Sequence, residues 1–147
     1  MTAVSGVAPT RQEALQQLLQ GVAADHHAYQ ALQALLEQQF TAALRRQAPR
    51  LNELAEEIST LVDTMEVRRA ERVALAQAVA GLDARMADVY ALLKPEARSK
   101  LESDWLALET MAKECKRLGK RNTDLMVEQY SIMQRVLHGD HQIYEPV

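Results

Sequence analysis

The sequence predicts an all-α protein, an elongated antiparallel bundle of three long helices with a short linking helix before the third. Hydrophobic residues make up 48% of the 147 residues but aromatic residues only 4%, and Leu and Ala, which favour helices, supply most of the apolar mass. The four prolines, at positions 9, 49, 95 and 146, leave three long stretches without a helix-breaking residue. Apolar residues recur in these stretches at helical steps of three and four. The length is that of one domain, so we expect residues 1–147 to form a single helical domain.

The first helix is predicted over residues 10–46. It begins with Thr10 and Glu13, an S/T-x-x-E pattern in which each side chain can bond the other residue's free backbone N–H. Asp25 and His26 interrupt an otherwise apolar face. That face contains Leu15, Leu18, Val22, Tyr29, Leu32, Leu36, Phe40 and Ala43.

The second helix is predicted over residues 49–80, from Pro49 to the glycine that follows it, Gly81. Its first half carries an apolar seam typical of coiled coils. Arg68 and Arg72 take the next two seam positions and weaken it. The seam residues are Leu51, Leu54, Ile58, Leu61 and Met65.

The remaining chain predicts a short helix over residues 83–93, a third long helix over 96–138 and a flexible tail over 139–147. One seam line of the third helix follows a seven-residue step through Leu101, Leu108, Cys115, Asn122, Gln129 and Val136. The polar pair in this line is typical of residues that fix helix register. Gly119 costs about 1 kcal/mol against Ala inside a helix, which suggests a close helix approach or a kink.

Composition argues against several function classes. The net charge of −3 and the pI of about 5.8 supply no positive field for nucleic acid, and the basic run from Lys113 to Arg121 is flanked by acids on the same helix. No stretch has the length and apolarity of a membrane span, and the N-terminus lacks the basic start of a signal peptide. The single cysteine, Cys115, fits a reducing cytoplasm. We therefore expect a cytoplasmic protein.

No pattern of catalytic or cofactor-binding residues is present. No glutamate has a histidine three residues later, as a di-iron bundle requires, and His26 and His27 are adjacent, so they point about 100° apart on a helix. Glycine-rich phosphate loops and nucleophile elbows are missing as well. We expect no enzyme activity, no cofactor and no metal.

The third helix carries a wider apolar stripe near its end than a narrow seam requires. Two of its members are methionines, whose unbranched side chains repack against different partners. Ordinary bundle core would produce a similar stripe, but the third helix is the longest, so its last turns are expected to overhang and leave a groove for a partner's amphipathic helix. The stripe contains Leu118, Leu125, Met126, Ile132, Met133, Val136 and Leu137.

The segment from Leu118 to Met126, LGKRNTDLM, resembles the L-N-x-x-N-G-x-L-[IL] motif of the FlgN family of flagellar type III export chaperones. Asn122 matches the second asparagine of the motif, whereas Gly119 and Thr123 depart from it. Most of the remaining chain is similar to the family's long helical hairpin. The Tyr144-Glu145-Pro146 sequence resembles the tail tyrosine of family members.

The resemblance implies a chaperone that binds the C-terminal helices of the hook-filament junction proteins FlgK and FlgL and delivers them to the export gate. Tyr144 then docks the loaded chaperone on the cytoplasmic domain of that gate. The residues expected to hold the substrate protein are the stripe together with two polar seam residues: Leu118, Asn122, Leu125, Met126, Gln129, Ile132, Met133, Val136 and Leu137. An alternative that the stripes also allow is a structural or adaptor coiled coil that self-associates without export cargo.

Overall fold

The computed structural model describes the backbone of residues 10–144 and the side chains of residues 10–139. Within this range the chain forms four helices and no strand: α1 (Arg11–Leu44), α2 (Ala48–Ala80), α3 (Met86–Tyr90) and α4 (Pro95–Tyr144). Helix α1 packs against both α2 and α4. The predicted all-helical class is confirmed.

Local signals set most of the helix ends. The predicted capping box at the start of α1 is confirmed, because the Glu13 N–H donates to Thr10 Oγ1 at 3.1 Å and the Thr10 N–H donates to Glu13 Oε1 at 3.2 Å. Pro49 lies in the first turn of α2, where its missing N–H costs nothing. Helix α2 ends at Gly81, whose φ of 103° is readily adopted only by glycine.

The linking helix α3 is shorter than the predicted 83–93. It begins at Met86, where the Arg85 N–H donates to Asp88 Oδ2 at 2.8 Å. The next residues form turns with hydrogen bonds between residues three apart, in which the Leu92 N–H donates to the Val89 carbonyl and the Leu93 N–H donates to the Tyr90 carbonyl. Pro95 disfavours helical backbone at Lys94, the residue before it, so α3 does not continue directly into α4.

Helix α4 extends further than predicted, ending at Tyr144 and not at His138. Residues 139–144, which were predicted to belong to a flexible tail, continue the helix, and the rest of that predicted tail, residues 145–147, lies outside the described part of the chain. A glycine such as Gly139 costs a helix only about 1 kcal/mol, and the chain has no proline after Pro95 until Pro146. The close approach suggested at Gly119 is also absent, because a Cβ built there meets no heavy atom within 4 Å.

Hydrogen bonds between helices define their directions and register. The Arg11 guanidinium of α1 donates to the Val79 carbonyl of α2, and the Arg68 guanidinium of α2 donates to the Ala24 carbonyl of α1. Because the start of α1 thus lies beside the end of α2, the two helices run in opposite directions. Contacts from α4 to α1 keep a constant separation of 86 residues: Cys115 to Tyr29, Asn122 to Leu36 and Gln129 to Ala43. A constant separation means that α1 and α4 run in the same direction.

The interruptions that the sequence shows on two apolar faces meet in the core. Asp25 of α1 is 3% exposed and forms ion pairs with Arg72 and, at 3.8 Å, with Arg68, both from α2. The Arg72 guanidinium also lies 5.1 Å from the ring centroid of Trp105 in α4. Burial raises the pKa of the Asp25 carboxyl, although both arginines oppose the shift. One charged cluster thus joins all three long helices.

Candidate partner-binding surface at the end of α4

The two seam lines of α4 change from buried to exposed along the helix. In the seven-residue line, the side chains are buried as far as Asn122, Gln129 is half-buried, and Val136 is 53% exposed. A second line steps by seven residues through Leu118, Leu125 and Ile132, of which the first is buried, the second is half-buried and the third is 41% exposed. The apolar face of α4 is thus covered in the middle of the helix and open at its end.

The end of α1 causes this change. Gln129 donates through Nε2 to the carbonyl of Ala43 at 3.0 Å, and α1 ends one residue later, at Leu44. The 14 residues of α4 after Tyr130 extend beyond that contact, by about 21 Å at a rise of roughly 1.5 Å per residue. We call residues 131–144 the α4 overhang. The predicted overhang of the last turns is therefore present.

The exposed apolar side chains concentrate in this part of the molecule. Of the twelve large hydrophobic residues that are exposed in the described part of the chain, six lie between positions 127 and 137. Ile132, Met133, Val136 and Leu137 share one helix face, while Arg135 lies on the opposite side at about 100° per residue. The six are Val127, Tyr130, Ile132, Met133, Val136 and Leu137.

The structure divides the nine side chains predicted to hold a substrate protein. Leu118 and Asn122 belong to the core against α1 and are not accessible to a partner in this arrangement. Leu125, Met126 and Gln129 are half-buried along its border. Ile132, Met133, Val136 and Leu137 are open. Only the last four form an exposed surface.

Asn122 is held by a complete set of hydrogen bonds. Its Nδ2 donates to the Leu36 carbonyl at 2.7 Å and to Gln39 Oε1 at 2.8 Å, and its Oδ1 accepts from two nitrogens of Arg121 at 3.1 Å. Arg121 also lies over the Phe40 ring, with its guanidinium carbon 3.8 Å from the centroid. Asn122 therefore fixes the register of α4 on α1, as its place in the seam suggests.

Two exposed arginines lie beside the overhang and were not predicted as part of a site. Arg45 and Arg46 form the turn after α1, next to the contact between Gln129 and Ala43. No ion pair involves either of them among the described residues, whereas nearby Arg50 bonds Glu57 and Gln38. The sequence shows two adjacent arginines at the end of the first predicted helix. It does not show that they lie beside the third helix, because that depends on how α1 and α4 align.

Comparison with known families identifies the chain. The model of the FlgN protein family matches residues 14–139, which include the whole of α2, α1 except its first residues, α4 except its last residues, and the open apolar face. The chain belongs to the FlgN family. This family consists of flagellar export chaperones, which agrees with the resemblance noted in the segment from Leu118 to Met126. No curated protein and no solved structure matches the chain significantly.

Tyr144 and Cys115 are two further residues that the sequence singles out. Tyr144 is the last residue of α4, and its side chain lies outside the described part of the structure. Cys115 is buried, with Sγ 3.7 Å from the Tyr29 carbonyl, and burial raises the pKa of its thiol. Among the described residues, no group of His, Cys, Asp and Glu side chains is placed to hold a metal, and no helix is apolar enough over sufficient length to cross a membrane.

Proposed function

We propose that this FlgN family member is a cytoplasmic export chaperone that binds the C-terminal amphipathic helix of junction proteins of the FlgK and FlgL type and delivers them to the export gate. The observation that carries the proposal is the open apolar face of the α4 overhang, formed by Ile132, Met133, Val136 and Leu137. A partner helix covers this face in the way that α1 covers the preceding turns of α4.

The geometry suits an amphipathic helix as the occupant. The overhang continues the seam that α1 fills, so a helix laid beyond the end of α1 meets the same spacing of apolar side chains. Met133 and the half-buried Met126 adapt to different apolar partners, which favours a chaperone with more than one substrate. A partner that orders on binding pays an entropic cost, and this keeps the complex reversible.

Calorimetry with a synthetic C-terminal helix of a FlgK-type junction protein tests the proposal. Met133→Glu and Leu137→Glu place a charge on the open face, and we expect each to weaken binding at least tenfold, since an unpaired charge must then be desolvated. Ser131→Glu is the matched control, because it adds the same charge on the opposite face of the same turns. Wild-type affinity in both face variants would contradict the proposal.

A stability measurement makes the result interpretable. Because Met133 and Leu137 are at least half exposed, their replacement leaves the core intact, and we expect unchanged helicity and urea midpoints. Unfolding of these variants would show that the face is covered within the chain and would also contradict the proposal. A stable homo-oligomer in light scattering, with no peptide binding, would instead support the self-associating coiled coil.

Tyr144 is proposed to dock the loaded chaperone on the cytoplasmic domain of the export gate, on the basis of its match to the family's tail tyrosine. Its position as the last residue of α4 separates it in sequence from the open face by more than one helical turn. Tyr144→Ala is therefore expected to leave the peptide affinity unchanged and to weaken binding to the purified gate domain. An equal loss of both activities would show that Tyr144 belongs to the substrate surface.

A further inference from the structure

We propose that the partner helix carries acidic residues at the end that lies beside the turn between α1 and α2, and that Arg45 and Arg46 receive them. The inference rests on the proposed function, because it specifies the chemistry of the helix that covers the overhang. It adds a charged contact to an otherwise apolar surface and so determines which helices bind well and in which direction they lie.

The two arginines lie in the turn after α1, at the point along α4 where the overhang begins. The bond from Gln129 to Ala43 places the last turn of α1 against α4 immediately before the overhang begins. Arg45 and Arg46 follow within three residues of Ala43, and both are exposed. A helix that covers Ile132 and Met133 therefore ends next to the turn that carries Arg45 and Arg46.

No acidic side chain forms an ion pair with Arg45 or Arg46 among the described residues. The segment from Gln129 to Gly139 contains no acidic residue and adds Arg135, although the whole chain has a net charge of −3. Arg50, one helical turn further along, is engaged by Glu53 and Glu57. Within the described residues Arg45 and Arg46 have no such pairs, so their charges remain free for a partner.

The backbone at Arg46 supports a role for its side chain. Its φ is 53°, and it is the one residue other than glycine with a positive φ in the described part of the chain. That left-handed conformation costs a residue with a Cβ roughly 1 kcal/mol, so stability alone favours glycine or asparagine at this position. The stability of this turn alone therefore does not explain an arginine at position 46, whereas an electrostatic function of its side chain would.

A simpler explanation is that both arginines only neutralise the negative end of the α1 dipole, and the test separates the two explanations. Binding of the FlgK-type peptide is measured with Arg45→Gln/Arg46→Gln and with a control that removes two exposed lysines of α4, Lys113→Gln/Lys116→Gln. The same proteins are then titrated with a peptide whose Asp and Glu residues are replaced by Asn and Gln.

We expect the arginine variant to bind the native peptide about five- to tenfold more weakly at low salt, and the lysine control to differ less than twofold. The difference should vanish with the neutral peptide and in 1 M salt, where the Debye length is only about 3 Å. Unchanged affinity in the arginine variant, with lower stability alone, would overturn the inference and leave the proposed function standing. No binding of the native peptide to the wild-type chain would overturn both.

Discussion

Replacing Asn122 with aspartate tests whether hydrogen bonding holds α4 in register. The substitution keeps the shape of the side chain but exchanges its amide nitrogen for a carboxylate oxygen. In the structure that nitrogen donates to the Leu36 carbonyl and to Gln39 Oε1, and the residue is fully buried. An oxygen in its place faces two other oxygens, with only Arg121 at hand to compensate.

The expected loss of stability follows from these contacts. Two donated bonds contribute about 0.5–1.5 kcal/mol each, and a buried carboxylate with a donor, Arg121, at only one of its oxygens adds a desolvation cost of at least similar size. We therefore expect the free energy of unfolding to fall by about 2–4 kcal/mol at pH 7 in urea titrations followed by circular dichroism. Asn52→Asp on the exposed face of α2 is the matched control and should change it by less than about 0.5 kcal/mol.

The pH dependence supplies the refuting result. In Asn122→Asp we expect burial, together with the two oxygens that face the new carboxyl, to outweigh Arg121 and raise its folded-state pKa above the unfolded value, so that the folded form binds the proton more tightly. Stability is then lost as the pH rises through the raised pKa and is recovered as the pH falls toward about 4, near the unfolded pKa. Equal stabilities of Asn122→Asp and the control, or a loss that does not diminish at low pH, would refute the assigned role.

Three further predictions concern the core and the glycines. Gly119→Ala should raise the free energy of unfolding by up to about 1 kcal/mol, because its added Cβ meets open space. Gly81→Ala should lower the free energy of unfolding because of the positive φ of this residue. Chemical denaturation in which both substitutions shift the stability in the same direction would contradict these expectations. Arg72→Ala should lower the free energy of unfolding by about 3–5 kcal/mol, because the Asp25 carboxylate is then buried with one distant partner, Arg68. Because burial raises the pKa of Asp25, this loss of stability should shrink as the pH falls through the raised pKa. A loss that is the same at every pH would argue against a buried charge. Cys115 should react with thiol reagents only as fast as the protein unfolds, because its side chain is buried and burial also raises the pKa of its thiol. Fast labelling of the native protein would contradict its buried position.

The sequence predicted those features that depend on neighbouring residues. The cap at Thr10, the start of α2 at Pro49 and its end at Gly81 each arise from backbone chemistry within a few positions. The end of α4 was less predictable, because a glycine weakens a helix without stopping it and the next proline follows only at position 146.

Features that depend on the alignment of helices distant in sequence could not be predicted from such local signals. The sequence shows Asp25 interrupting one apolar face and Arg72 interrupting another, but their pairing depends on how α1 and α2 align. Likewise, Leu118 and Val136 look equivalent in the apolar stripe of α4. Only the position of the end of α1 shows that the first is buried and the second is open.

Along the seam of α4, polar residues lie where α1 covers the helix and apolar residues lie where it is open. The stability of the chain alone would favour the opposite order. Asn122 and Gln129 occupy the seam where α1 covers it, while Val136 occupies the same line where α1 has ended. A slide of α4 by one turn would bury part of Ile132 and Met133, with a gain of about 1 kcal/mol for each half-exposed side chain. The same slide would remove both hydrogen bonds that Asn122 donates to α1 and leave its amide nitrogen buried without an acceptor, at a cost of about 1–3 kcal/mol. The polar residues thus offset the gain and keep the overhang uncovered, which is the arrangement expected of a surface that another chain must reach.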